Sequence, residues 1–283
     1  MFWRKLEERF FNILIRIATI IIIGSLFFIV LTILVKGLPA MSWDMVSKSP
    51  SGGFYLGKEG GVLNAIVGSL YLGFGASIFA LFLSIPVVLY MNIYAPAHSR
   101  FAQFIRTSLD ILYGIPSIVY GAFGFIIMIY FGLKVSLLAG IITVGLLVLP
   151  IMARTMDEVI RTIPKELGDA SLSLGATKWE TATKVILRQA FPGILTAMLL
   201  GFGRAIGDAA SVIFTTGFTD NVPTTILQPA ATLPLAIFFQ LGSPIAEVVN
   251  RAYASALILT IMILLISISS RLLSRRFNKN VIK

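Results

Sequence analysis

The chain has 283 residues, of which 57% are hydrophobic and only 13% are charged. A soluble domain carries about twice this share of charged residues, so the composition excludes an ordinary soluble protein and indicates several membrane spans. The net charge of +10 does not indicate nucleic-acid binding, because Lys and Arg lie between apolar runs rather than in one basic domain. With no Cys and a single His, His98, the sequence excludes disulfides and Cys/His metal clusters.

Six apolar segments approach the length of about 20 residues that a membrane-spanning helix needs. The second is longer than one straight span, and the third is interrupted by "YGIPS" at 113–117. They predict an all-α integral membrane protein with an N-tail at 1–12 and one transmembrane domain at 13–283. The predicted spans are Ile13–Val35, a helix within 64–94, Phe104–Phe131, Val135–Ala153, Phe191–Phe218 and Tyr253–Leu273.

The distribution of positive charge predicts the orientation of these spans. The two tails and the connections on one side of the membrane carry sixteen Lys and Arg residues, and the connections on the other side carry five. Positive residues are enriched in cytoplasmic connections, so we expect both termini in the cytoplasm. The first apolar run is too long for the core of a signal peptide, and we expect it to be retained as the first span.

Two long connections, at 36–62 and 219–250, are predicted to face outward. The second contains "LPLAIFFQL", an apolar run too short to cross a bilayer, which predicts a re-entrant or interfacial segment. The first contains "GGFYLGKE" at 52–59, which approaches a phosphate-binding P-loop. Glu59 stands in place of the magnesium-binding Ser or Thr, and the segment faces away from cytoplasmic ATP, so we reject a nucleotide site there.

The connection at 163–193 is predicted to form two helices on the cytoplasmic side. Pro164 suits the first turn of a helix, and Gly175 suits a left-handed C-cap. Thr177 and Glu180 have the spacing of a capping box, which begins a second helix. The first helix is rich in small residues that permit close approach of another surface, namely Gly168, Ala170, Ser171 and Ser173. An ordinary interhelical connection explains these features as well as a docking segment does.

The first of these two helices contains a known signature. The stretch "DASLSLG" at 169–175 resembles the cytoplasmic coupling motif of ABC importer permeases. In the second half of that motif, Arg188 stands where the family usually has proline. The resemblance implies a coupling segment at 157–190 that docks on an ATPase subunit through Asp169, Ala170, Ser171 and Gly175.

Four more stretches resemble the A-type permease family of phosphate-specific ABC transporters. They are "GGVLNAIVGSLYL" (60–72), "DILYGIPSIVYGAFG" (110–124), "GRAIGDAA" (203–210) and "QPAATLP" (228–234). The resemblance implies a type I permease fold and ATP-driven import of inorganic phosphate across a prokaryotic plasma membrane. It also implies three kinds of partner: a second, C-type permease, two ATPase subunits that use ATP and Mg²⁺, and an extracellular phosphate-binding protein. This chain would bind no cofactor and would have no catalytic site.

Other functions remain possible at this stage. Within the same class, the chain could be the C-type phosphate permease or a permease for another oxyanion such as molybdate or phosphonate. An ion-driven secondary carrier predicts an inverted repeat and intramembrane ion ligands, and the sequence has neither. An intramembrane enzyme acting on lipid phosphates needs a nucleophile or base near the interface, and His98 alone gives little support.

The predicted fifth span contains the candidate substrate path. Arg204, Asp208, Ser211 and Thr215 recur at i, i+4, i+7 and i+11, which on one helix gives a polar stripe about 16 Å long. A charge near the bilayer centre costs about 2.5–3.5 kcal/mol on insertion scales. A structural ion pair is one interpretation. The hydroxyl groups favour the other, an anion path, because the planar guanidinium of Arg binds phosphate through two parallel hydrogen bonds.

Three further positions are candidates for the path. In the predicted third span, Ser117 and Tyr120 share a small, partly polar face with two glycines, which fits either path lining or helix packing. Arg154 could receive the exiting anion or could anchor the fourth span at the cytoplasmic side. Arg106 and Asp110 are spaced i, i+4 and are expected to form an interfacial pair.

Overall fold

The computed structural model describes residues 2–51, 59–96 and 98–277. The P-loop-like stretch lies outside the described residues except for Glu59. The described chain is helical apart from its connections and two short strands. Its elements are α1 (Phe2–Gly37), α2 (Trp43–Ser47), β1 (Pro50–Ser51), β2 (Glu59–Gly60), α3 (Leu63–Leu89), α4 (Arg100–Tyr113), α5 (Ser117–Tyr130), α6 (Leu137–Arg161), α7 (Lys165–Ser173), α8 (Lys178–Glu180), α9 (Leu187–Ile206), α10 (Leu233–Leu241) and α11 (Ala246–Phe277).

Within the described residues, five helical segments are long and apolar enough to cross a membrane, and the pair α4–α5 makes a sixth if it is counted as one span. The second and fourth predicted spans are confirmed as α3 and α6. The N-tail and the first predicted span form one helix, because α1 already begins at Phe2. The connection between α2 and α3 adds one small departure from an all-helical chain, since β1 and β2 pair as antiparallel strands.

The core of the bundle is formed by α3, α6 and α9. Small side chains allow these helices to approach closely, as is common between helices in membranes. A Cβ atom added to Gly145 of α6 would lie 2.5 Å from the Phe79 ring of α3, and one added to Gly201 of α9 would lie 2.6 Å from Met152 Sδ of α6. The buried residues of this core include Ala76, Ala80, Val144, Val148, Ala153, Ala190 and Ala197.

The predicted third span is wrong as a single span, because the chain turns by 101° between α4 and α5. The break lies at Gly114–Pro116, and Pro116 has an extended backbone with ψ 138°. Proline cannot continue the hydrogen bonding of the preceding helix and disfavours a helical residue before it. The hydroxyl of Tyr120 in α5 donates a hydrogen bond to the carbonyl of Leu112 in α4 at 2.9 Å, which bridges the bend.

The predicted fifth span is also shorter than expected. Helix α9 ends at Ile206, and the chain continues through turns at 207 and at 210–216. These turns are joined to the N-terminal end of α6, because the Ser136 N–H donates to the Thr215 carbonyl at 3.0 Å. In the connection between these turns and α11, the short apolar run forms α10, a helix of nine residues.

The two helices predicted for the connection at 163–193 are confirmed as α7 and α8. Gly175 follows α7 with a left-handed φ of 86°. The Gly175 N–H donates to the Leu172 carbonyl and the Ala176 N–H to the Ser171 carbonyl, at 3.0 and 3.2 Å, which is the Schellman arrangement. Thr177 and Glu180 form the predicted capping box at the start of α8. A π-helical turn at Thr181–Ile186 then leads from α8 into α9.

Candidate functional site

The end of α9 lies inside the thickness of the membrane. Helix α6 begins at Leu137, directly after a connection between spans, and Met152 lies 15 residues further on, or about 22 Å along the axis. Gly201 of α9 packs against Met152, and Arg204 lies one turn further towards the C-terminal end of α9. Since the hydrocarbon core is about 30 Å thick, α9 stops near its middle. Irregular backbone at this depth must be buried in protein or line a water-filled cavity.

Asp208 holds the turn that follows α9. One carboxylate oxygen, Oδ2, accepts hydrogen bonds from the Ser211 N–H at 2.9 Å and from the Ser211 hydroxyl. The Thr215 hydroxyl donates to the Ser211 carbonyl at 3.0 Å. Asp208, Ser211 and Thr215 are all buried within the chain. The aspartate therefore acts as a cap for this turn, in the manner of an N-cap residue.

These contacts correct the predicted polar stripe. Arg204 and Asp208 lie close together as expected, but Asp208, Ser211 and Thr215 follow the end of the helix instead of continuing it. The hydroxyls of Ser211 and Thr215 are engaged inside the chain and do not face an open surface. Sequence reasoning missed this helix end, because apolar and small residues continue to Phe218 without a proline.

Arg204 is the member of this group that remains accessible. Its side chain is 46% exposed, and its Nη2 atom lies 3.7 Å from Asp208 Oδ1, which is a loose ion pair. It belongs to the last turn of α9, where a cation interacts favourably with the negative end of the helix dipole. The neighbouring Gly203 faces open space in this chain, since no atom lies within 4 Å of an added Cβ. An accessible guanidinium beside small residues can receive an anion.

Helix α5 packs against the same turn. A Cβ atom added to Gly121 would lie 2.8 Å from the Ser211 carbonyl oxygen, and one added to Gly124 would lie 2.4 Å from the Thr143 hydroxyl. These distances favour helix packing as the role of the two glycines. Ser117 is half-buried at the first turn of α5, and Tyr120 uses its hydroxyl to bridge the bend. Both residues thus flank the turn without contacting Arg204 in the hydrogen bonds and ion pairs described.

A second polar cluster lies near the C-terminal end of α6. Asp157 is fully buried and accepts hydrogen bonds from Arg106 Nε at 2.9 Å, Arg106 Nη2 at 3.1 Å and Asn92 Nδ2 at 2.8 Å. The expected pair of Arg106 and Asp110 is wrong. Asp110 instead contacts Arg154 Nε at 3.1 Å. The half-buried face of α4 carries Arg106 and the exposed face carries Asp110, so the two residues reach different partners on α6.

Sequence reasoning missed Asp157 because it placed the end of the fourth span at Ala153. Helix α6 continues to Arg161, which keeps Asp157 inside the packed bundle. Arg154 lies one turn earlier and approaches three carboxylates, Asp110 at 3.1 Å and Asp157 and Glu158 at 3.9 Å each. This geometry favours the anchoring role over the anion-receiving role for Arg154.

The coupling segment presents an accessible surface. No residue of α7 is buried, and Asp169 and Ala170 are exposed. The Ser171 hydroxyl lies 3.0 Å from that of Thr181, which joins α7 to the following helix. Three large apolar side chains beside these residues are exposed, Leu172, Leu174 and Trp179. An exposed apolar patch of this kind is typical of a contact surface for another protein.

The sequence is similar to known transport permeases. Residues 93–283 match the family described as "Binding-protein-dependent transport system inner membrane component". The chain is 31% identical over 271 residues to the phosphate transport system permease protein PstA of Haemophilus influenzae, covering 96% of this chain and 95% of that protein. It is 32% identical to PstA of Yersinia pestis, covering 96% of this chain and 91% of that protein. These relatives are transport permeases rather than enzymes.

Solved structures with the same fold are also ABC transporter chains. One belongs to a bacterial alginate ABC transporter in complex with an alginate-bound periplasmic protein, with a TM-score of 0.67, 16% identity and 99% coverage of both chains. Another belongs to the inward-facing MetNI methionine ABC transporter, with a TM-score of 0.61, 20% identity and coverage of 76% of this chain and 95% of that chain. At such identities the likeness establishes the fold, that of a type I ABC importer permease. The chain belongs to the family of inner membrane components of binding-protein-dependent transport systems.

Proposed function

We propose that this chain is a permease subunit of an ATP-driven importer of inorganic phosphate. The observation that carries the proposal is a half-exposed arginine, Arg204, at the end of a helix that stops inside the membrane. The same helix continues from the coupling segment through the turn at Thr181–Ile186. The cation proposed to bind phosphate thus lies at one end of α9, and the segment proposed to contact the ATPase leads into its other end. The PstA relatives, similar along nearly their whole length, support phosphate as the substrate.

In this proposal Arg204 is the residue that contacts the anion. Its guanidinium offers two parallel donors to phosphate oxygens, while Asp208 competes for the same group and weakens its hold, so that the ion can leave. Ser211 and Thr215 shape the turn that positions Asp208. The walls of the path include Ser117 and Tyr120, and Tyr120 is held by its hydrogen bond to the Leu112 carbonyl. Arg154 contributes to the cytoplasmic end of the path, where it is held by its ion pair with Asp110.

The proposal includes a defined set of partners. A second, C-type permease completes the path, two ATPase subunits bind and hydrolyse ATP with Mg²⁺, and an extracellular binding protein delivers phosphate. The segment at 157–190 docks on an ATPase subunit, with Asp169, Ala170, Ser171 and Gly175 at the contact. This chain holds no cofactor and has no ATPase site of its own. It lies in a prokaryotic plasma membrane with both termini on the cytoplasmic side.

The test is uptake of labelled phosphate by the complete complex in proteoliposomes. We expect uptake that requires ATP and this chain, with sulfate and molybdate as weak competitors. Arg204→Ala should abolish uptake while the complex still assembles. Arg204→Lys is the matched control, because it keeps the charge but loses the planar pair of donors. The chain purified free of other subunits should not hydrolyse ATP. Preferential uptake of another oxyanion, or normal phosphate uptake by Arg204→Ala, would contradict the proposal.

A further inference from the structure

Helix α4 carries three distinct faces along its 14 residues. One face is buried against the bundle through Ala102 and Leu109, which are 3% and 5% exposed. A second face is apolar but open, with Phe101, Phe104 and Ile111 exposed by 57%, 66% and 65%. The third face is polar and exposed, with Arg100, Gln103 and Thr107. A helix divided in this way lies at a boundary between apolar and polar surroundings.

The bend of 101° sets the direction of this helix. Helices α5 and α6 are joined by a short external connection and pack against each other. Because α6 crosses the bilayer and α5 lies against it, α4 runs across the bundle, approximately in the membrane plane. A span would require α4 to continue α5, which the bend prevents.

Two lengths place α4 at the edge of the hydrocarbon layer. Asp157 lies 20 residues after the start of α6, or about 30 Å along its axis, which matches the thickness of the hydrocarbon core. Arg106 of α4 binds the Asp157 carboxylate, so the polar side of α4 lies at the edge of the hydrocarbon core. Helix α5 has 14 residues and is about 21 Å long. The bend therefore lies several ångströms inside the boundary, and the apolar side of α4 reaches into the layer.

We propose that α4 is a membrane-surface helix that inserts Phe101, Phe104 and Ile111 into the bilayer at its cytoplasmic boundary. Gln103 and Thr107 face the headgroup layer, and Arg100 can contact the lipid phosphates. The Arg106–Asp157 bonds hold the helix in this rotation. The inference goes beyond phosphate transport. Only the side of the membrane on which α4 lies depends on the proposed orientation of the chain.

The occupant of the open apolar face is lipid rather than protein. The exposed apolar surface continues past the bend, where α5 also exposes Ile118 and Val119. A protein interface has an apolar centre surrounded by a polar rim. On α4 the polar and apolar side chains instead lie on separate faces of the helix. Aromatic side chains such as those of Phe101 and Tyr113, which is 67% exposed, suit the boundary of a bilayer.

The absence of native Cys makes a direct test possible. Single variants Phe101→Cys, Phe104→Cys and Ile111→Cys carry a nitroxide spin label in the complete complex, reconstituted in bilayers. Gln103→Cys and Thr107→Cys are matched controls on the polar face. A complex with the unsubstituted chain gives the signal from cysteines of other subunits, and assembly of the complex checks that each variant is folded.

We expect labels at 101, 104 and 111 to collide with oxygen more than with a water-soluble nickel reagent, at a depth of about 5–10 Å. Labels at 103 and 107 should show the reverse preference. The ratio of oxygen collisions to nickel-reagent collisions should therefore repeat along the sequence with the period of the helix. Depth that increases steadily from 100 to 113 would overturn the inference in favour of a span. Labels at 101, 104 and 111 that are shielded from both reagents would overturn it in favour of a protein contact. A failure of phosphate as substrate leaves these measurements unchanged, so the two proposals fail separately.

Discussion

Gly175→Val is a sharp test of the coupling segment because its effect is confined to the backbone. Gly175 has a left-handed φ of 86°, and a Cβ atom added there would meet no atom within 4 Å. The substitution therefore introduces no steric clash with a neighbour. A residue with a side chain costs about 1–2 kcal/mol in this conformation, and a β-branched residue is the least compatible with it.

Gly132→Val provides a matched control outside the coupling segment. Gly132 also has open space around an added Cβ, and its φ of 65° is left-handed as well. It lies in the connection between α5 and α6. The two variants thus add the same side chain at equally open and similarly strained positions, and they differ in the segment that is strained.

The expected magnitude follows from the strain. A cost of about 1–2 kcal/mol changes the ratio of capped to uncapped turn by about 5- to 30-fold. The bonds at risk are those from Gly175 and Ala176 to the Leu172 and Ser171 carbonyls. Loss of this cap also releases the contact between Ser171 and Thr181, which sets the position of α7 relative to α8.

The assay measures ATP hydrolysis and phosphate uptake by the same reconstituted complex. We expect Gly175→Val to lower uptake by up to about 5- to 30-fold and to lower the amount transported per ATP, while Gly132→Val keeps the amount transported per ATP of the unsubstituted chain. Gly175→Asn should lie between them, because Asn tolerates the left-handed conformation. Equal uptake by the two Val variants, in complexes that assemble equally, would refute the assignment of Gly175 as a cap needed for coupling.

Three further outcomes are expected. Asp157→Ala should destabilise the detergent-solubilised complex by about 3–5 kcal/mol, because it leaves a part-buried Arg106 without its partner. Thermal unfolding of the double variant with Arg106→Ala should show little further loss of stability. Additive losses of stability would argue against the pair. Asp208→Ala should lose both the charge and the cap, whereas Asp208→Asn keeps an acceptor for Ser211, so a large difference in unfolding temperature between them measures the cap. Asp208→Asn should also lower maximal phosphate uptake and weaken the preference for phosphate over sulfate, measured by competition in a complex that does not require the binding protein. An unchanged preference would leave selection to the binding protein.

The coupling segment could be predicted from sequence because its determinants are local. A left-handed turn needs Gly at one position, and a capping box needs Thr and Glu three residues apart. Both signals lie within six residues, at Gly175 and at Thr177–Glu180, and both appear in the structure with the expected hydrogen bonds. Likewise, the apolar length of α3 and α6 reflects membrane thickness, which needs no knowledge of tertiary contacts.

The errors at the site arise where tertiary contacts decide the structure. Hydropathy extends the fifth span to Phe218, but the Asp208–Ser211 bonds and the joining of Thr215 to Ser136 produce turns after Ile206. The pairing of Arg106 was predicted from its spacing to Asp110, while its actual partner lies 51 residues away in the sequence. Pro116 predicts a kink, but its size depends on how α4 packs against α6, which local sequence does not encode.

The end of α9 at Ile206 bears on the proposed coupling between the ATPase subunits and the substrate. In a continuous helix, Arg204 and Asp208 would keep a fixed separation. In the structure they lie on either side of the end of the helix: Arg204 belongs to α9, which continues from the segment at 157–190, and Asp208 is held by the turns that bond to Ser136 at the start of α6. Gly207, which has no side chain to pack, lies between them. In the proposed function, a displacement of α9 by the ATPase subunits would change the 3.7 Å distance between the arginine and the aspartate. Because the carboxylate would compete with phosphate for the guanidinium, that distance would control how tightly the anion is held.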